Sequence, residues 1–242
     1  MVNNIELQLI QSAQAGSLRG KVTDDQLKVL KTDCRSEKRN QDYKEIIFMK
    51  AAVLYSGGKD SSFVAVMLER LGLDVELYTA NFGMYDSYVP AQKSAQSLGF
   101  KHNVLEMDTD ILKETCERIL EDGFPNDGIK YIHRMTVEEL ARTHDIIADG
   151  TRRDDRTPKL SVNQIKSLED RFDAQYINLD SFGHKSVKMI TESLFEISKE
   201  RSNRDTSSDF EVEIREMIED MGSDPLDIFP QHYQTRVIGY KE

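Results

Sequence analysis

The apolar run Ala51-Ala52-Val53-Leu54, followed at once by Tyr55-Ser56-Gly57-Gly58-Lys59-Asp60-Ser61-Ser62, constrains this chain's architecture more than any other stretch. Short apolar residues make a buried strand, and the paired glycines permit the tight turn that ends it. Phe63, Val64, Val66, Met67 and Leu71 then recur at helical spacing, so the turn leads into a helix with one apolar side. Hydroxyls and free backbone N–H groups at that helix start face whatever lies there, and the helix dipole favours an anion. Strand, glycine turn and helix start together describe a phosphate cradle.

The same alternation continues to about Lys199 and predicts a parallel α/β sheet. Strands are expected over Ala51–Tyr55, Val75–Asn81, His102–Met107, Asp145–Ala148 and Ala174–Leu179. Helices are expected over Ser61–Leu71, Ser87–Leu98, Asp110–Glu121, Asp127–Thr143 and Ser161–Phe172. Right-handed crossovers put the strand C-termini on one edge, where ligands bind in such sheets. A sixth helix, Lys185–Arg201, is predicted from Val187, Ile190, Leu194 and Ile197. A polar linker follows at Ser202–Ser208, then an amphipathic helix at Phe210–Met221 and a tail ending in a short strand before Tyr240. The expected organisation is a polar, helical N-terminal extension over 1–49, an α/β domain over 50–201 and a mixed helix-and-strand extension over 202–242.

Composition narrows the class. A length of 242 residues with 38% hydrophobic and 31% charged residues suits a soluble domain with a sizeable core. No apolar run approaches the ~20 residues that span a bilayer, and Met1–Glu6 lacks the pattern of a signal peptide, so a cytoplasmic location is expected. The net charge of −11 disfavours broad attraction to nucleic acid. Lys28, Lys31, Arg35, Lys38, Arg39 and Lys44 are interleaved with Asp33, Glu37, Asp42 and Glu45, as on a solvated helix face. The two cysteines, Cys34 and Cys116, are too few for a zinc or iron–sulfur site within one chain. Cys116, among Ile111, Leu112, Ile119 and Leu120, reads as a buried thiol.

Further candidates fall at the predicted strand ends. Asn81 and Phe82 offer an amide and a ring for a purine, or simply a turn. Asp149-Gly150-Thr151-Arg152-Arg153-Asp154-Asp155-Arg156 supplies carboxylates for Mg²⁺ and guanidinium groups for a pyrophosphate leaving group, with an ion-paired surface loop as the plain alternative. Asp154 and Asp155 point apart in a turn, so that one binds metal while the other pairs with arginine. Lys185, after Gly183-His184 at another helix start, is placed to meet an anion. His184 is more simply a capping or surface residue, and His133 and His232 are weaker candidates still.

Ser-Gly-Gly-Lys-Asp-Ser lacks the spacing of a mononucleotide P-loop and resembles the PP-loop of the ATP pyrophosphatase superfamily, the N-type or adenine nucleotide alpha hydrolases. That superfamily includes GMP, NAD, asparagine and argininosuccinate synthetases, tRNA thiolases and diphthine–ammonia ligase. The resemblance implies a five-stranded parallel sheet in the order 3-2-1-4-5, sandwiched by helices. It also implies cleavage of ATP to AMP and pyrophosphate with adenylation of an acceptor. Carried over, Ser56, Gly57, Gly58, Asp60, Ser61 and Ser62 bind the pyrophosphate portion of ATP. Lys59, at the motif's variable position, Gly150 and Thr151 are expected in the same nucleotide site, with Asn81 and Phe82 toward the purine. Gly150-Thr151 with Asp154-Asp155 is similar to the family's second motif, with threonine where lysidine synthetases carry histidine. Asp60, Arg152, Arg153 and Lys185 are then the expected catalytic residues, and Asp60, Asp154 and Asp155 the expected Mg²⁺ ligands.

Two acceptor classes compete. The sulfur-transfer branch often carries a Cys-x-x-Cys pair where this chain has Gly123-Phe124-Pro125-Asn126-Asp127-Gly128. The missing cysteines and acidic charge fit an amide- or amine-forming ligase better than tRNA thiolation. A tRNA acceptor, a separate nitrogen or sulfur donor protein and a homodimer stay open, as does a non-catalytic ATP- or AMP-binding module.

Overall fold

The structure, a computed structural model, describes residues 49–156 and 158–241. The expected N-terminal helical extension, its mixed-charge cluster and Cys34 lie outside those residues. A parallel sheet is built from β1 (Lys50–Leu54), β2 (Asp74–Asn81), β3 (Lys101–Glu106), β4 (Ile146–Arg152) and β5 (Gln175–Leu179). Its order is β3-β2-β1-β4-β5, as the family resemblance implies, so the glycine turn leaves the central strand. Between the strands run α1 (Lys59–Arg70), α2 (Val89–Leu98), α3 (Thr109–Asp122), α4 (Asn126–Ala141) and α5 (Val162–Phe172); α6 (His184–Leu194) follows β5.

Strand alternation assigns side chains to the two faces. Ala51, Val53, Ile146 and Ala148 meet Val64 and Leu68 of α1, Ala95 of α2 and Val187 of α6. Ala52 and Ile147 point the other way, toward Val137, Leu140 and Leu168 of α4 and α5. The central strands β1 and β4 are covered on both sides, which explains their apolar composition. Fully burying an aliphatic side chain in such a layer contributes about 1.5–3 kcal/mol. Among the described residues, no helix is long and apolar enough to cross a membrane.

One expected element differs. The helix predicted over Lys185–Arg201 stops at Leu194, and residues Phe195–Arg201 form a strand, β6. Its partner is the tail strand β7 (Tyr233–Tyr240), antiparallel to it from Phe195↔Tyr240 to Arg201↔Tyr233. Ile197, which extends the helical spacing, is therefore a strand residue. Pairing with a distant segment overrides the local periodicity.

The segment between β6 and β7 includes α7 (Phe210–Asp220) and is fastened to the sheet by buried polar groups. Glu213, 1% exposed, accepts hydrogen bonds from the backbone N–H groups of Phe82 and Met84, at 3.2 Å each. Ser208 Oγ accepts from Ala91 N–H at 3.0 Å. Asp209 caps α7 through Glu211 N–H at 3.1 Å, and its other oxygen accepts from Gln234 Nε2 beneath β7.

Burial, and then the charge of Glu211, push the Asp209 carboxyl up to about 6 from an ordinary 3.8. A folded-state value above the unfolded one means that the protonated form is favoured by folding. This contribution is fully present below about 3.8 and is lost as pH rises through about 6. Asp209→Asn keeps the helix cap and removes the titration. Thermal melts should therefore show the variant gaining on the parent above pH 7, with the difference smallest near pH 4. Since the side chain keeps some exposure, the gain should fall below the roughly 3 kcal/mol such a displacement implies for a fully buried group.

Candidate functional site

At the carboxyl edge of the sheet a cleft of about 620 Å³ opens over β1 and β4. One end is the turn between β1 and α1. Gly58, at the N-cap of α1, has φ −74° and ψ 162°, and no side chain caps that helix start. The first-turn N–H groups, which have no partners within a helix, are left facing the cleft from Gly58 to Ser61. The turn is held from behind. Gly57 adopts φ +78°, and a Cβ there would come 3.2 Å from Ala91 Cα. Tyr55 Oη bonds Ser62 Oγ at 3.0 Å and Ser94 Oγ at 2.8 Å, and Thr79 Oγ1 donates to the Tyr55 carbonyl at 2.6 Å. The tail closes the arrangement: Val237 N–H donates to the Gly57 carbonyl at 2.9 Å.

The second wall is the end of β4. Its pairing with β5 breaks register between Ala148 and Arg152, which lets the intervening backbone turn toward the cleft. A Cβ on Gly150 would lie 2.6 Å from Ser61 N and 2.8 Å from Asp60 C, so only glycine lets the strand touch the helix start. Arg152 beyond it donates to Asp155 at 2.5 Å, stands 3.7 Å from Asp60 Oδ2 and meets His184 Nδ1 at 2.7 Å. Lys59 Nζ pairs with Asp60 at 2.7 Å. Two cations and two carboxylates thus balance one another along the phosphate-facing wall.

The floor is a buried polar cluster. Asp149, 3% exposed, accepts from Thr151 N–H at 2.8 Å, Thr151 Oγ1 at 2.7 Å and the Tyr176 hydroxyl. His133 Nε2 stands 3.0 Å from Asp149 Oδ2, out of line for a full hydrogen bond. Burial raises the Asp149 carboxyl, but His133 and the hydroxyl donors outweigh it and hold the group below the ordinary carboxylate range. The third wall comes from the tail: Ser208, Asp209 and Phe210 precede and begin α7, and His232 to Thr235 lead into β7.

Of the residues singled out from sequence, Ser56, Gly58, Lys59, Asp60, Ser61, Gly150, Thr151, Arg152 and Asp155 line the cleft together. Gly57 and Ser62 lie behind the turn as supports. Others sit elsewhere. Phe82 is 1% exposed and packs with Ile132, Ile214 and Phe229, while Asn81 Nδ2 donates to the Tyr85 carbonyl at 2.7 Å and to Ser87 Oγ at 3.0 Å. These two hold the turn after β2, and the hydrophobic layer under α7 claims the ring. Arg153 and Lys185 are exposed and off the cleft wall. Asp154 accepts from His184 N–H at 2.8 Å, at the start of α6.

As to metal, no group of three His, Cys, Asp or Glu side chains among the described residues could hold an ion alone. Asp60 faces the cleft with both oxygens accepting from Lys59 Nζ, at 2.7 and 2.9 Å, while Asp155 is paired with Arg152 and Asp154 accepts from the α6 backbone. Cys116 is buried, its thiol pushed up to about 12. The groups given no role or only a weak one from sequence are Asp149, His133 and the tail wall. Asp149 stood directly before the Gly150-Thr151 motif, but nothing local marks the others.

The family model described as a family of unknown function, DUF7411, matches residues 49–239, and the chain belongs to that family. It is 45% identical over 195 residues to an uncharacterized protein of Methanocaldococcus jannaschii, covering 80% of this chain and 98% of that protein. A crystal structure described as a predicted subunit of tRNA methyltransferase from M. jannaschii is similar, with TM-score 0.76 and 44% identity, over 81% of this chain and 99% of that one. A segment of 88 residues, 36% of this chain, is 41% identical to argininosuccinate synthase of Bos taurus but covers only 21% of the synthase.

The contact between Gly150 and the start of α1 is open to a direct test. In Gly150→Ala the new methyl must push against backbone rather than a flexible side-chain end. Thermal unfolding should show a loss of about 1–3 kcal/mol.

Proposed function

We propose that this chain is an ATP-dependent, AMP-forming enzyme of the PP-loop type that adenylates an acceptor oxygen. The observation that carries this reading is the uncapped start of α1, flanked by Gly58 and Gly150 and by the two cations Lys59 and Arg152. Open N–H donors, a close backbone approach and paired positive charge are what a polyphosphate requires. The local match to argininosuccinate synthase supports the same reading.

In this scheme the β and γ phosphates lie against the first turn of α1. Lys59 and Arg152 exchange their carboxylate partners for phosphate oxygens, which frees Asp60. Asp60 would hold Mg²⁺, which supplies charge neutralisation for the phosphates. The acceptor oxygen attacks the α phosphorus, the bond to the β phosphate breaks, and pyrophosphate leaves toward Arg152. Arg153, Lys185 and Asp154 have no direct part, since they lie off the cleft.

A second reading concerns the acceptor. The similarity to a protein described as a tRNA methyltransferase subunit supports a tRNA base as acceptor, with a partner subunit in the assembly. The buried thiol of Cys116 is unsuited to carrying sulfur, so a sulfur nucleophile would come from a separate donor.

Purified chain given Mg²⁺ and ATP labelled at the α phosphate should yield AMP and pyrophosphate when the acceptor is present. Formation of ADP and phosphate would refute the scheme. Asp60→Asn should lower AMP formation at least a hundredfold while the melting temperature stays within about 2 °C.

A further inference from the structure

Two observations in the cleft bear on the kind of acceptor it takes. The first is the imidazole of His133, 2% exposed on the wall of the cleft. A histidine buried for packing usually has both ring nitrogens satisfied. Here Nε2 is aimed at Asp149 but out of line, and Nδ1 makes no hydrogen bond to any described residue. The ring is held in place by Phe210, edge-on at 6.1 Å and 72°, and by Asp149, itself fixed by Thr151 and Tyr176. Asp149 directly precedes Gly150, the residue that touches the start of α1, and the imidazole lines the same cleft as that helix start.

The second observation is the distribution of charge. Among the described residues lining the cleft, the lysines and arginines are Lys59 and Arg152, both at the phosphate end. The remaining wall presents Asp149 and Asp209 with Ser208, Phe210, Tyr233 and Gln234. Beyond the imidazoles of His133, His184 and His232, an anionic acceptor would meet no basic side chain among the described lining residues once the phosphates had taken those two.

We propose that His133 is the general base of the adenylation step, and that the acceptor is a neutral group, an oxygen bearing or conjugated to an exchangeable proton, and not a carboxylate. This rests on the adenylation reading above. A carboxylate attacks as the anion and needs no base. A lactam or amide oxygen, or a hydroxyl, must shed a proton as it bonds to phosphorus. The step balances as follows: the acceptor oxygen bonds to the α phosphorus, the bond from that phosphorus to the bridging oxygen breaks, and its electron pair leaves with pyrophosphate. The proton passes from the acceptor nitrogen or oxygen to His133 Nδ1. Asp149 steadies the imidazolium so formed.

The test uses the full chain, Mg²⁺ and α-labelled ATP with two probe pools: unfractionated tRNA with free nucleobases, and a mixture of amino and carboxylic acids. AMP and pyrophosphate should form with the first pool. Turnover with the second pool alone would overturn the proposal and leave the adenylation reading standing. Turnover with neither would remove the reading and the proposal with it. With the responding pool, His133→Gln and His133→Asn should lower kcat by about 10²–10⁴-fold, with KM for ATP within threefold. Variants that retain kcat within threefold, or lose only ATP affinity, would overturn it. A third readout does not depend on the variants folding. In histidine-¹⁵N NMR of the unaltered chain at pH 7.5, the His133 ring should carry its proton on Nε2, with Nδ1 unprotonated and shifted by added ATP. An Nδ1–H tautomer or a doubly protonated ring would refute the assignment.

Discussion

The contact of Gly150 with the first turn of α1 is the constraint on which the rest of the site depends. A strand end and a helix start cannot normally meet within van der Waals distance, because a side chain stands between them. Removing that side chain at one position brings Thr151 and Arg152 onto the same surface as Lys59 and Asp60. The break in pairing between β4 and β5 serves the same end, since it releases the backbone between Ala148 and Arg152 from the regular ladder of the sheet. Local irregularity in β4 is therefore how two loops distant in sequence become one wall.

The tail is fastened by a different kind of interaction. Glu213 is a buried carboxylate that pairs with no lysine or arginine among the described residues; it is satisfied by backbone N–H groups of the turn after β2. Burial raises its pKa, while the hydrogen bonds from Phe82 and Met84 act in the opposite direction. Hydrogen bonds to a charged acceptor are worth about 1.5–3 kcal/mol each, so the grip is strong, but it is specific to that turn's shape. Asp209 and Ser208 add shorter-range ties to β7 and α2. Together they hold the third wall of the cleft at a fixed distance from the phosphate end.

The sequence was most legible where local chemistry and global fold agree. All five sheet strands fall where the sequence places them, and the glycine turn between β1 and α1 follows from Ser56 to Ser62 read in its strand–helix setting. Arg152 and Asp155 were visible as a motif, and the pairing of one of the two aspartates with arginine is the one found at Asp155. What could not be read depends on long-range contact. Phe82 looked available at a strand end because nothing nearby announces that α7 covers it. Ile197 fitted a helix because its strand partner lies beyond a loop and another helix. His133 stood out only as a weak candidate, since its place opposite Asp149 is set by how α4 packs on β4.

The hydrogen bond from Val237 to Gly57 joins the first turn of the described fold to its last strand. A loop finished in this way has no partially folded form in which it is complete. During synthesis the β1–α1 unit emerges early and can pair and pack, yet its ligand-facing geometry waits for a strand made far later. Such distant closure slows folding relative to a site built from neighbouring segments. It also joins the fate of the two ends, because any opening that releases β7 loosens the glycine turn in the same event.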